Sequence, residues 1–157
     1  MEELEVSPDA PLRLVKKMLL ARMEKGVVCP CCEQHVKVYR RTMTSAMAYT
    51  ALVLYKVSGP GQFVNVPKVL NGHGSVAAGG DYAKLVYWGL LEGGSAPGEY
   101  RVTVRGRDFV ECRIAVPKAV YVYNGIPIRE DSSENVTIVD AMGAKYSYDS
   151  LMSGEFD

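Results

Sequence analysis

Asp81-Tyr82-Ala83-Lys84-Leu85-Val86-Tyr87-Trp88-Gly89-Leu90-Leu91 is the stretch on which the reading of the fold turns. Asp81 can accept hydrogen bonds from the free N–H groups of a first helical turn, and Gly89 supplies the left-handed backbone with which many helices end. A helix over 82–88 that stops at Gly89 and runs on into Leu90-Leu91 follows. Downstream, the loop Gly93-Gly94-Ser95-Ala96-Pro97-Gly98 leads to the β-prone Tyr100-Arg101-Val102-Thr103-Val104. Arg105-Gly106-Arg107-Asp108 then reads as a tight turn before Phe109-Val110, which opens another helix or strand.

Working upstream, Asn71-Gly72-His73-Gly74-Ser75 through Gly79-Gly80 holds four glycines in ten residues, too permissive for a regular element. It lacks the Gly-Lys-Ser/Thr ending of a phosphate-binding loop. Pro67-Lys68-Val69-Leu70 fits a brief helix with proline in its first turn, and Phe63-Val64-Asn65-Val66 a short extended piece. Before Ser58-Gly59-Pro60-Gly61, the residues Met47, Ala48, Ala51, Leu52, Leu54 and Tyr55 share a broad apolar face, with Thr42 or Thr44 as the cap. The order from 42 to 118 is helix, short strand, short helix, helix and β-hairpin region. That order predicts an α+β protein built around a winged helix-turn-helix.

Two outer segments complete the chain. In the first, residues 1–41, Leu12, Val15, Leu19 and Met23 recur at helical spacing after a proline-rich start, giving an amphipathic helix that either packs on its own domain or pairs with a second copy. Val27-Val28-Cys29-Pro30-Cys31-Cys32 to Val36-Lys37-Val38-Tyr39 then predicts a hairpin with cysteines at its tip. The second, residues 119–157, alternates through Val120-Tyr121-Val122-Tyr123, turns at Asn124-Gly125 and resumes at Ile126. Val136-Thr137-Ile138-Val139 is a further strand candidate and Leu151 and Met152 a final anchor, so this segment reads as a small acidic β appendage.

The 157 residues are 48% hydrophobic, enough for one well-packed domain with appendages, and their formal charge of zero is a sum of opposed regions. Residues 1–10 carry four acids and no base, residues 11–118 sixteen bases and seven acids, and residues 119–157 two bases and seven acids. A basic middle of this kind can present a positive face to phosphates, or it can be solvated charge unevenly spread. No apolar run spans a bilayer and the start lacks a basic leader, so a cytoplasmic, non-membrane protein is expected.

Leu85-x-x-x-Gly89-Leu90-Leu91 followed by Val102-Thr103-x-x-Gly106 resembles the recognition-helix end and wing of winged-helix regulators of the multiple-antibiotic-resistance type. The likeness implies leucines that seat the helix, a glycine that turns the chain into the wing, and a threonine and second glycine that shape its return. It implies duplex DNA as partner and dimerisation through the N-terminal helix. Gly80-Asp81-Tyr82-Ala83-Lys84-Leu85, Trp88-Gly89-Leu90, Gly106-x-x-Phe109-Val110 and Val116-Pro117-Lys118, with the Cys-Pro-x-Cys near the start, also resemble small bacteriophage proteins, which implies a phage origin. Glu92 stands where the regulators commonly carry a base, and the glycine loop before Asp81 is long.

On this reading the DNA-contacting candidates are Ser75, Tyr82, Lys84 and Tyr87 on the helix side and Arg101, Arg105 and Arg107 on the wing, with Lys37, Arg40 and Arg41 extending the basic surface. The expected function is DNA binding or transcription modulation; the alternative is a protein-interaction module that inhibits or redirects a host protein. Cys29-x-x-Cys32 makes half of a tetrahedral zinc site, with His35 and Cys112, or a second chain, to complete it; reduced thiols or a disulfide are the competing states, and Cys31 offers another pairing. No enzymatic activity is expected. A thiol oxidoreductase would want this motif at a helix N-terminus, whereas β-like residues follow it, and neither histidine sits in a recognisable nucleophilic arrangement.

Overall fold

The structure, a computed structural model, describes residues 1–73 and 81–154. The fold is α+β, with small sheets and short helices. Contacts divide the chain into two compact units, one of Met1–Arg41 with Tyr121–Arg129, the other of Thr42–Val120 with Glu130–Asp157.

The larger unit is organised by α2 (Ser45–Ser58), whose Thr44 cap accepts a hydrogen bond from the Met47 N–H at 3.2 Å. Seven of its residues are buried, and Leu52, Val53 and Leu54 are at most 1% exposed. Apolar side chains occur on nearly all sides of this helix, as suits one that is covered from several directions. Around it pack α3 (Val66–Asn71), a 3₁₀ helix (Asp81–Trp88), α4 (Val104–Val110) and α5 (Ile138–Met142). Phe109, Leu85, Leu90 and Ile138 are fully buried in this unit.

The expected short strand is β5 (Val64–Asn65), and the hairpin is β6 (Leu91–Gly93) with β7 (Glu99–Val102). Their sheet has the order β5-β7-β6, and both pairings are antiparallel, Val64 facing Tyr100 and Leu91 facing Val102. The strand that comes last in the chain therefore lies in the middle. Asn65 caps α3 through its side chain, with the Lys68 N–H 3.1 Å away, and proline occupies the first turn of α3 as expected.

Two local readings need correction. Arg105-Gly106-Arg107 is not a turn but the first part of α4, capped by Thr103, whose hydroxyl accepts the Gly106 N–H at 3.0 Å and donates to the Gly89 carbonyl at 2.6 Å. Gly106 is small because a Cβ there would run into the backbone carbonyl of Leu90. Likewise Val136-Thr137-Ile138-Val139 is not a strand: Thr137 and Asp140 form a capping box that opens α5. A reciprocal side-chain cap outweighed the β-branched composition. The polar run of residues 129–134 before it belongs to strand β9 (Ile126–Val136).

In the smaller unit, α1 (Leu12–Arg22) buries none of its residues. Strand β1 (Glu2–Glu3) pairs parallel with β2 (Val27–Val28), which pairs antiparallel with β3 (His35–Val36), so the cysteines lie at a hairpin tip as expected. A further sheet has the order β4-β8-β9, with β4 at Tyr39–Thr42 and β8 at Val116–Tyr123. Asn124 and Gly125, both at positive φ, link β8 to β9. Among the described residues no helix is long and apolar enough to cross a membrane.

Candidate nucleic-acid interface and cysteine hairpin

The segment Asp81–Trp88 ends in a double hydrogen bond, Gly89 N–H to Val86 carbonyl at 3.0 Å and Leu90 N–H to Leu85 carbonyl at 3.2 Å. With Gly89 at φ +72 this is a Schellman-type stop, and Leu85 and Leu90 on either side of it are buried, as the resemblance implied. Trp88 is also inward, its indole N–H donating to the Pro117 carbonyl at 2.7 Å. On this helix Asp81 and Val86 are exposed, while Tyr82, Ala83, Lys84 and Tyr87 are half-buried.

Most of the cations selected from the sequence are already engaged within the larger unit. Lys84 pairs with Asp81 at 2.9 Å, and Arg101 pairs with Glu92 at 2.6 Å while lying over the Phe63 ring. Arg107 contacts Asp108 at 3.0 Å and Glu111 at 3.6 Å. Arg105 uses its Nε to bind the Trp88 carbonyl at 2.9 Å, yet remains exposed. Tyr82 meets Tyr100 edge to face at 5.6 Å. Arg105 and Arg107 therefore project from α4 and not from a wing. The loop between β6 and β7, residues 94–98, carries no basic residue.

Ser75 lies outside the described residues. Lys68, exposed on α3, was not selected from the sequence; its position one residue after Pro67 in a short capped helix was the available signal. Lys37, Arg40 and Arg41 belong to the smaller unit. Lys37 and Arg41 approach the Tyr39 ring at 5.7 and 5.0 Å, so alternate residues of this extended stretch form a cation–aromatic–cation row.

The cysteine tip is a tight knuckle. Cys29 N–H donates to the Gln34 carbonyl at 2.8 Å, the Glu33 N–H returns to the Cys29 carbonyl at 2.9 Å, and Glu33 takes φ +63 to close the turn. The Cys29 thiol is held below its ordinary value by the backbone N–H of Cys32, by that of Cys31, and by the Cys32 thiol beside it. Cys31 and Cys32 are exposed. His35 is exposed on β3, and Cys112 belongs to the larger unit, at φ +63 just after α4. Among the described residues no three histidine, cysteine or acidic side chains come together to hold a metal ion.

No family of proteins, no characterised protein and no solved structure matches this chain in sequence or fold comparison.

Proposed function

We propose that residues 45–102 form a winged helix-turn-helix and that the chain binds duplex DNA as a transcription-modulating protein. The observation that carries this reading is the β5-β7-β6 order behind three helices. A winged helix has that arrangement, with its last strand in the middle and its third helix leading into the wing hairpin. On this reading Asp81–Trp88 is the recognition element, Tyr82, Lys84 and Tyr87 meet the groove, and Arg105 and Lys68 meet phosphates. Exposed ion pairs such as Lys84–Asp81 are worth about 1 kcal/mol or less, so a phosphate can take the place of the carboxylate.

Binding of the full chain to duplex DNA over a salt series tests this. Affinity should fall steeply as salt rises, and Lys84→Glu with Arg105→Glu should weaken binding and flatten that dependence. Absence of appreciable binding at physiological salt contradicts the reading.

A second reading is a protein-interaction module that redirects a host protein. It is favoured by the pairing of Arg101 with Glu92 and of Arg107 with Asp108, which leaves that face nearly neutral. It predicts salt-insensitive capture of a protein partner and no DNA affinity.

A further inference from the structure

The smaller unit combines two unsatisfied features. One is the knuckle, a tight turn in which the Cys29 N–H donates to the Gln34 carbonyl at 2.8 Å and the Glu33 N–H to the Cys29 carbonyl at 2.9 Å, with Glu33 at φ +63, Cys29 half-buried and Cys31 and Cys32 exposed. The other is α1, which buries none of its eleven residues and leaves Leu12 82% and Leu14 49% exposed. Both lie in Met1–Arg41, a segment with few buried apolar side chains of its own.

We propose that Cys29 and Cys32 are half of a tetrahedral zinc site, completed by the same two cysteines of a second copy of this chain. A structural zinc ion takes four protein ligands, and the knuckle offers two. The tip is exposed, so the metal's open side is accessible to another hairpin. Identical ligand pairs related by a two-fold axis give the four sulfurs, and two-fold symmetry is the commonest closed arrangement of identical chains. The same association gives the leucines of α1 a surface to cover them, which one unit alone does not provide. On binding, each chain loses two thiol protons, so four thiols and one Zn²⁺ give one tetrathiolate and four protons.

The test uses the full chain, purified under reducing conditions, with zinc or with cobalt as a visible probe. The site predicts one metal ion per two chains, a cobalt spectrum of four-thiolate tetrahedral type, a dimer in sedimentation, and a return to monomer with chelator. Cys29→Ser with Cys32→Ser should abolish binding and dimerisation, while Cys31→Ser and Cys112→Ser should leave both intact. Three results overturn the proposal: no metal retained by the wild-type chain, one metal per chain on a monomer, or a site lost with Cys112→Ser. Far-ultraviolet circular dichroism of the double variant matching the metal-free wild type shows that loss of binding is not loss of folding.

Discussion

The two units solve the problem of stability differently. In the larger one α2 is wrapped by other helices and buries seven residues, and most of the fully buried side chains of the protein lie there. In the smaller one the buried apolar residues are Val27, Val38 and Val122, and the longest helix buries none. The units also differ in charge. The smaller has nine bases against six acids, and the larger nine bases against twelve acids, so the basic middle of the sequence is not the charge of the larger unit once the acidic C-terminal residues are counted with it. A dense core fixes the first without help, whereas a unit of about 50 residues with so few buried side chains calls for a staple such as a metal or a partner.

That difference can be broken by substitutions of graded effect. Phe109→Ala, at a side chain with no exposure, should cost about 3–5 kcal/mol in chemical denaturation, unfolding the larger unit first. Gly106→Val should cost about 3 kcal/mol, because its side chain meets the Leu90 backbone and the helix must move away. A melting curve unchanged by either substitution would show that α4 is not packed as described. Leu14→Ala, on α1, should change stability by less than about 0.5 kcal/mol in metal-free protein, and by more once zinc is added. An equal effect in both states would separate α1 from the dimer.

The smallest effect is one of pH. Arg129 holds the Glu24 carboxylate through two hydrogen bonds of 2.7 and 2.9 Å and lies over the Tyr121 ring, and this contact keeps the Glu24 carboxyl below its ordinary value of 4.5. A lowered carboxyl favours the folded state above the unfolded-state value, and that contribution disappears as pH falls through the folded-state value. Mild acid should therefore loosen the smaller unit slightly, and Glu24→Gln should remove that part of the pH response. An unaltered response in the variant assigns it to another carboxylate.

Much of this was legible in the sequence because local chemistry decided it. Thr44 began and Gly89 ended a helix as side chain and backbone freedom allow, and Leu85 and Leu90 are buried as the resemblance implied. The errors came from residues whose role depends on distant neighbours. Gly106 read as a turn because glycine is permissive, yet it is glycine because Leu90 lies against it. Val136 to Val139 read as a strand by composition, and the Thr137–Asp140 box decided otherwise. For the candidate interface, residue types marked Arg101 and Arg107 as cations, but not that Glu92 and Asp108 would engage them. The cysteine tip was legible as a hairpin, since β-prone pairs flank it, while the gathering of distant ligands was not something spacing could determine.

The most direct test of the account follows backbone amide resonances of the full chain as duplex DNA is added at low salt. The winged-helix reading predicts that the largest shifts fall on α3, on Asp81–Trp88 and around Arg105 at the start of α4. Shifts confined to Lys37–Arg41, or no shifts at all, would contradict it.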